Sequence, residues 1–281
     1  MDPVTYRADS RERWEAAAKG WSERRESIQR SALPVSEALL EHAALQPGHA
    51  VLEVAAGLGD TGLLAAELVL PGGTVVLTDV ADAMVEAAGA HVEAEGAVNV
   101  EVRQMEAEWL DVPTASQDAI ISRWGYMLLA DPEAALREAR RALRPGGRIA
   151  FAVWAPIDRN PWISVVQREL LARGMAPQPE PGTPGMFALA APGAVEALLA
   201  AAGFAEAGVE PVDFAWQSPS LDAWWEHQRA VSISLGAALD ALSPADHYAF
   251  RDAVDAGYAP YVADDGSVAL PACSLVAWAE A

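Results

Sequence analysis

A glycine-rich turn beside two carboxylates is the part of this sequence that is best suited to hold a ligand. The stretch VLEVAAGLGDTG, residues 51–62, predicts a buried strand that ends in a turn at Gly57 and Gly59 and leads into a helix. Glycine lets the backbone approach a ligand closely. The next strand, TVVLTDV, ends at Asp79, whose carboxylate can accept hydrogen bonds from both ribose hydroxyls of a nucleoside. These features together predict a cofactor that contains a nucleoside.

Two classes of cofactor fit the same glycines. Gly57, Gly59 and Gly62 spell G-x-G-x-x-G, the pattern of dinucleotide-binding proteins, which would make the chain an NAD(P)-dependent oxidoreductase. Glu53, however, stands inside the strand, where a buried carboxylate needs a cation or several donors nearby. S-adenosylmethionine carries an ammonium and a sulfonium, and the loop is longer than the dinucleotide pattern requires. We favour this cofactor and keep NAD(P) as the alternative.

Strands and helices alternate through the first half of the chain. Strands are predicted in HAVLEVAAG, GTVVLTDV, VNVEVRQM, QDAIISRW and GGRIAFAVW, and helices in TGLLAAELVL, ADAMVEAAGAHVEAEG and DPEAALREARRAL. This alternation predicts a doubly wound α/β fold with a parallel sheet. Two amino-terminal helices precede it, one over residues 11–30 and one after Pro34.

The rhythm changes after Trp154. A helix at about 162–173 is followed by a proline-rich linker at 177–185, and then by the helix AVEALLAAAGF. Two further strands, EAGVEPVDFAW and SVALPACSLVAW, should be neighbours in the sheet. About fifty largely helical residues separate them, far more than a connection of about four to six residues needs.

Five segments in order resemble the motifs of class I S-adenosylmethionine-dependent methyltransferases, and most nearly the ubiquinone and menaquinone biosynthesis type. They are VLEVAAGLGDTG, the strand that ends at Asp79, MEAEWL, QDAIISRWGYMLLAD and LRPGGRIAFAVW. The resemblance implies a Rossmann-like, doubly wound, seven-stranded and mostly parallel sheet with helical amino-terminal and inserted lids. The domain prediction is an amino-terminal helical lid at 1–48, a cofactor-binding core at 49–155, and the rest of the core at 156–281 with a substrate lid at about 220–262.

The resemblance also implies how the cofactor is held. Gly57 and Gly59 would pass under its methionine part, Asp79 would bind the ribose, and Met84 would pack against the adenine. The predicted cofactor-binding residues are Glu53, Ala55, Gly57, Gly59, Asp79, Val80, Met84, Glu106, Ala107, Glu108, Ser122, Arg123 and Trp124.

Three places depart from the family pattern. Ala55 stands where the first glycine is usual, and MEAE replaces a glycine followed by aspartate, so that Glu106 or Glu108 would lie near the adenine amino group. Residues 122–125, which the resemblance puts beside the transferable methyl group, read Ser-Arg-Trp-Gly. Many amino-group methyltransferases carry an Asn/Asp-Pro-Pro-aromatic tetrapeptide there, so its absence disfavours nucleic-acid bases and protein amides as acceptors.

Charge narrows the partners further. The chain has 40 acidic and 19 basic residues and a formal charge of −21, which would repel a phosphate backbone. No apolar stretch is long enough for a signal peptide or a membrane span, so we expect a cytoplasmic protein, either a monomer or a homodimer, that binds neither nucleic acid nor membrane.

Its one cysteine excludes a multi-cysteine zinc site, and no metal site is expected.

Aromatic residues dominate the predicted substrate side. The predicted substrate residues are Trp21, Tyr126, Trp154, Trp162, Trp224 and Trp225. They fall on the amino-terminal helices, just past strand ends or in the insertion, from which a lid over the strand ends would be built, and such a lid suits a flat apolar acceptor. His227 and Tyr126 are the candidate catalytic groups, should the acceptor have to lose a proton.

The sequence therefore predicts an enzyme that transfers a methyl group from S-adenosylmethionine to a small, largely apolar acceptor of aromatic, quinol-like or polyketide-like character. Alignment of the acceptor, the methyl carbon and sulfur is its main demand. A catalytically inactive adenosylmethionine-binding protein stays open beside the NAD(P)-dependent oxidoreductase.

Overall fold

The structure is a computed structural model that describes residues 2–178 and 182–281. Its described residues form one seven-stranded sheet. The strands are β1 (Ala50–Val54), β2 (Thr74–Asp79), β3 (Val100–Gln104), β4 (Gln117–Arg123), β5 (Leu143–Trp154), β6 (Ala205–Ser218) and β7 (Val268–Glu280). The helices are α1 (Pro3–Ala43), α2 (Asp60–Leu68), α3 (Asp82–Glu95), α4 (Pro132–Ala142), α5 (Pro161–Ala172), α6 (Ala194–Ala201), α7 (Leu221–Val231), α8 (Ile233–Asp240) and α9 (Pro244–Tyr258).

The strand order is β3-β2-β1-β4-β5-β7-β6. Strands β1 to β5 pair in parallel, and β7 is antiparallel to both β5 and β6. The order reverses between β1 and β4, which makes a crevice at the carboxyl ends of these strands, the usual ligand site of such sheets. Since β6 runs in the same direction as β5, its carboxyl end reaches the same edge. The predicted doubly wound, mostly parallel, seven-stranded sheet is confirmed.

Apolar runs explain why the middle strands lie at the centre of the sheet. Leu52, Ile120, Ile121, Ile149 and Phe151 are fully buried, as expected for parallel strands that are covered by helices on both faces. These buried strands make a rigid base for the loops at their carboxyl ends.

The amino-terminal region is one helix, and the prediction of two helices was wrong. Helix α1 runs without a break through Pro34, although an interior proline removes a hydrogen bond at a cost of about 3 kcal/mol. Ala32, Val35 and Leu39 are fully buried on either side of it. Burial of this face against the sheet offsets the local cost, and only the tertiary structure supplies that burial.

The connection between β6 and β7 is helical, as predicted, and consists of α7, α8, α9 and a single turn at Ala259–Tyr261. The two strands pair directly from Ala205–Glu280 to Ser218–Val268, so the insertion leaves and returns at the same edge of the sheet. Of the predicted linker at 177–185, residues 179–181 lie outside the described residues. None of the described helices combines the length and apolarity needed to cross a bilayer.

Candidate functional site

A pocket lies at the carboxyl ends of β1, β2 and β4 and is covered on one side by α1. Its empty volume is about 950 Å³, part of which is open to solvent. Nine of the predicted cofactor residues line it: Glu53, Ala55, Gly57, Asp79, Val80, Met84, Ala107, Arg123 and Trp124. Ser10, Trp14, Trp21 and Ile28 of α1 close it, and their spacing places them on one face of that helix. The pocket therefore brings residues of the glycine turn, three strand ends and the amino-terminal helix together.

Glu53 is a buried carboxylate in this pocket. Its side chain is 2% exposed and accepts a 2.8 Å hydrogen bond from the backbone N–H of Gly62. Burial raises the pKa of Glu53 from 4.5 to about 8, although Arg123 and the Gly62 N–H favour its charged form. A ligand cation beside it would stabilise the carboxylate and lower this pKa again.

Asp79 ends β2 and ties the glycine turn to the start of α3. One carboxylate oxygen accepts from the N–H of Gly57 at 2.9 Å, and the other accepts from the N–H of Ala81 at 3.1 Å. Burial raises the pKa of Asp79, while these backbone hydrogen bonds act in the opposite direction. Asp79 is half-buried and lines the pocket.

Arg123 is a cation of this site whose charge acts on Glu53. Its guanidinium donates to Ser36 Oγ at 2.9 Å and to Gln29 Oε1 at 3.4 Å, and it lies 5.1 Å from the centre of the Trp124 ring. Burial lowers the pKa of Arg123, and the charges of Asp60 and Glu53 oppose that shift. Both partners in α1 are uncharged, so the charge of Arg123 is balanced through space by the neighbouring acids, Asp60 more than Glu53.

Asp60 adds a third carboxylate to the pocket. It is 5% exposed and accepts from Arg25 Nε at 2.8 Å. Three carboxylates, Glu53, Asp60 and Asp79, thus line the same space as Arg123. This surplus of acidic groups suits a ligand that carries positive charge.

Met84 is buried beneath the pocket, as a residue that packs against an adenine would be. It is 1% exposed and clusters with Ala17, Ala18, Leu58 and Ala81. Two alanines of that cluster belong to α1, so the amino-terminal helix closes this end of the pocket as well.

The turn after β3, MEAEWL at residues 105–110, contains two glutamates with different surroundings. Glu108 is 6% exposed, pairs with Arg7 of α1 and accepts from the N–H of Asp131 at 3.0 Å. Glu106 forms an isolated bridge with Trp109. Neither carboxylate lines the pocket, whereas Ala107 between them does.

Three more predicted residues lie just behind the pocket wall. Gly59 has φ +79° and caps α2, and a Cβ there would meet Leu77 at 2.5 Å. Ser122 is fully buried, and its Oγ has no partner among the described residues. Tyr126 is 1% exposed and packs 4.8 Å from Phe151, and burial raises the pKa of its phenol.

A cluster of aromatic rings leads from the pocket to the insertion. Trp124 stacks on Trp154 at 4.4 Å, and Trp216 lies 6.2 Å from Trp124 and 6.3 Å from Trp224. The last member, His227, stacks on Trp224 at 5.2 Å with 10° between the planes. The aromatic cluster comprises Trp124, Trp154, Trp162, Phe214, Trp216, Trp224 and His227.

The structure separates the two adjacent tryptophans of α7. Trp224 joins the aromatic cluster, whereas Trp225 donates to Asp255 at 2.7 Å and packs 6.1 Å from Phe250 in α9. Trp225 therefore holds α7 against α9 within the insertion. Trp21 lines the pocket and donates from Nε1 to the carbonyl of Val231 at 3.3 Å, which ties α1 to the end of α7.

His227 is held as a neutral side chain. It is 7% exposed, and burial together with the charge of Arg24 lowers its pKa to about 4. An imidazole in this state accepts a proton only weakly at neutral pH, because its conjugate acid is strong.

Sequence reasoning missed Phe214 and Trp216. Both are on β6 at positions i and i+2, so they share a face of the strand, and the strand ends at the same edge as β4 and β5. That alternation was the available signal. The contact between α1 and α3 had no such signal. Glu15 of α1 accepts from the N–H groups of Asp82 and Ala83 and so caps α3, whose own N-cap residue is Ala81.

Comparison with known proteins yields several methyltransferases. A family model described as a methyltransferase domain matches residues 51–147. The nocamycin O-methyltransferase of Saccharothrix syringae is 34% identical over 199 residues, which are 68% of this chain and 71% of that protein. The ubiquinone/menaquinone biosynthesis C-methyltransferase of Shewanella frigidimarina is 38% identical over 111 residues, which are 39% of this chain and 44% of that protein.

Solved structures agree on the fold. The YcgJ protein from Bacillus subtilis superposes with a TM-score of 0.58 at 19% identity, over 87% of this chain and 97% of that one. The match to the O-methyltransferase, over two thirds of both chains, selects the methyltransferase interpretation of the glycine turn over the dinucleotide one. The chain belongs to the class I S-adenosylmethionine-dependent methyltransferases, as its motifs predicted.

Proposed function

We propose that the chain transfers a methyl group to a small, largely apolar acceptor that lies between the cofactor pocket and α7. The observation that carries this proposal is the aromatic cluster, which runs without a break from Trp124 in the pocket to Trp224 and His227 in the insertion. The rings contact one another with their centres 4.4 to 6.3 Å apart, and such a surface of rings favours a flat, aromatic, quinol-like or polyketide-like molecule that stacks on it. One relative is named an O-methyltransferase and the other a C-methyltransferase, so compounds that accept the methyl group on oxygen and on carbon should both be tested.

The residues of the pocket fit S-adenosylmethionine, which supplies a methyl group on a cationic sulfur. Asp60 and Asp79 give the pocket the negative charge that an ammonium and a sulfonium require, and Glu53 becomes a third carboxylate once a cation beside it lowers its raised pKa. In this proposal Asp79 binds the ribose hydroxyls, Gly57 passes under the methionine part, and Met84 packs against the adenine. Ala55, Val80, Ala107 and Arg123 complete the wall, and Trp124 faces the acceptor.

The protein's contribution to the reaction is position and exclusion of water. Trp14, Trp21 and Ile28 cover the pocket from α1, and Trp224 covers the aromatic cluster from α7. Rings on both sides restrain a flat acceptor to one orientation, which can supply a large share of the rate enhancement. Tyr126 lies in the core behind the acceptor side, and His227 stands at its far end.

Calorimetric titration with S-adenosylmethionine, S-adenosylhomocysteine and NAD tests the cofactor half of the proposal. We expect the first two to bind and NAD to give no heat. Labelled S-adenosylmethionine with a panel of small phenols, quinols and polyketide-like acids tests the acceptor half. Incorporation into proteins or nucleic acids, with none into the panel, would overturn the small-molecule assignment.

A further inference from the structure

Four buried nitrogen donors in or beside the aromatic cluster have no hydrogen-bond acceptor among the residues that the structure describes. They are Nε1 of Trp216, Nε1 of Trp224, Nε2 of Gln228 and Nε of Arg24. The Trp224 indole interacts with the side chain of Tyr258, which leaves the other three. Trp216 is 5% exposed and Gln228 is 3% exposed. A buried donor that is left unpaired costs about 1–3 kcal/mol, so three of them in one region point to a ligand that satisfies them.

These donors belong to residues that lie close to His227. Gln228 follows His227 and lies one helical turn beyond Trp224, so all three share a face of α7. The ring of Trp216 is 6.0 Å from that of His227. Arg24 approaches from α1, where its charge lowers the pKa of His227.

Close packing of α1 on α7 fixes Arg24 at this position. A Cβ on Gly20 would lie 1.8 Å from the carbonyl oxygen of Ala230, so only glycine allows the two helices to approach this closely. One turn further along α1, the Nη2 of Arg24 lies 3.7 Å from Glu226, whose side chain is 72% exposed. An ion pair that is this long and this exposed holds Arg24 weakly.

We infer that the acceptor is a planar molecule that carries an ionised oxygen group, either a carboxylate or the enolate of a 1,3-dicarbonyl, bound by Arg24, Gln228 and the Trp216 indole N–H. The inference rests on the proposed function and narrows its substrate class. All three groups donate and one is a permanent cation, which matches an oxyanion with several lone pairs and not a donor such as an alcohol or an amine. The apolar body of the molecule then stacks among the rings.

An acceptor that is already ionised also agrees with the lack of a suitable general base at Tyr126 and His227. Burial raises the pKa of Tyr126, and the pKa of His227 is lowered to about 4, so neither group is suited to remove a proton at neutral pH. An ionised oxygen needs no base. It gains a bond to the methyl carbon as the carbon–sulfur bond breaks, the electron pair of that bond stays on sulfur, and an anion and a cation become two neutral products.

The test compares two probes of equal shape, 2-naphthoate and the neutral 2-naphthamide, titrated by calorimetry into protein saturated with S-adenosylhomocysteine. We expect the carboxylate to bind at least about tenfold more tightly, the effect of one hydrogen bond to a charged group. Arg24→Gln and Gln228→Leu should remove most of this preference, and Arg24→Lys should restore part of it. Arg30→Gln on the exposed side of the same helix is the matched control and should leave it unchanged.

Equal affinity for the two probes, a preference for the amide, or no binding of the carboxylate would overturn the inference. So would an unchanged preference in Arg24→Gln. A thermal melt separates misfolding from lost recognition: removing an unpaired donor should leave Gln228→Leu at least as stable as the parent protein without ligand. Methylation of neutral phenols with indifference to carboxylates would refute this inference alone, because the small-molecule methyl transfer under "Proposed function" would stand.

Discussion

Glu53 and Gly62 share a space that admits no additional atom. The Glu53 carboxylate accepts the N–H of Gly62 at 2.8 Å, and a Cβ on Gly62 would lie 2.5 Å from the same carboxylate oxygen. The same Cβ would lie 2.1 Å from Leu77 Cδ2, so the third glycine of the turn fits between the buried acid of the preceding strand and Leu77. Because that acid is desolvated, its protonation is coupled to folding and to the charge of whatever binds beside it.

Stability of the ligand-free protein should fall as pH rises from about 6.5 to about 8, the upper part of the interval between the ordinary pKa of Glu53 and its raised value. Below about 6.5 the lowered pKa of His227 makes stability rise with pH and opposes this effect. Between about 6.5 and about 8 the folded state keeps a proton that the unfolded state has released, so the slope is at most about 1.4 kcal/mol per pH unit. Urea denaturation across the interval measures it. Glu53→Gln should flatten the slope, whereas Glu67→Gln, exposed on α2, should not. A parent protein whose stability rises with pH over this range would contradict the assignment.

Asp79→Ala should weaken the binding of both S-adenosylmethionine and S-adenosylhomocysteine by about tenfold or more. Each lost hydrogen bond to this carboxylate is worth about 1.5–3 kcal/mol, and the loop also loses the contact that holds Gly57. Asp82→Ala, three residues on, changes an exposed acid that pairs with Arg11 and serves as the control. The affinities of the two variants for S-adenosylmethionine and S-adenosylhomocysteine are measured by calorimetry. Equal affinities would show that Asp79 does not bind the cofactor.

Trp224→Ala should weaken acceptor binding while the affinity for S-adenosylmethionine stays nearly intact, because Trp224 belongs to the aromatic cluster and not to the lining of the pocket. The residue is 2% exposed, so truncation costs about 3–5 kcal/mol of stability. Trp224→Phe keeps a ring and separates recognition from folding. Trp109→Ala, at 59% exposure, is the control. Lost cofactor affinity with normal acceptor binding would mean that the insertion serves the cofactor.

Gly125→Ala should destabilise the protein by about 1–3 kcal/mol, because the new Cβ would lie 2.6 Å from Ser122 Oγ and 2.7 Å from the Cβ of Ala55. Ala55 has φ +52°, a conformation that suits glycine. Adding Ala55→Gly should therefore recover part of the loss, with a coupling energy above about 0.5 kcal/mol in a double-mutant cycle. Strictly additive effects in denaturation would show that the two residues do not share this space.

Only part of the proposed set of acceptor contacts could be predicted from the sequence. The spacing of Trp224 and His227 predicted a shared helix face, and the two rings are stacked. Nothing in the local pattern places Arg24, which is more than two hundred positions from His227, beside that imidazole. The contact depends on Gly20, whose missing side chain lets α1 approach α7.

The sequence by itself determined the sheet, the glycine turn, the acid at the end of β2 and the family, because these depend on short-range alternation of apolar residues and on motifs within a few residues of one another. The tertiary structure alone decided that α1 continues through Pro34, that Glu108 pairs with Arg7 while Glu53 stays in the pocket, and that Trp216 joins Trp124 and Trp224. Each of these outcomes depends on burial and charge supplied by distant segments. Desolvation and close packing exist only once those segments are together, so local patterns carry no record of them.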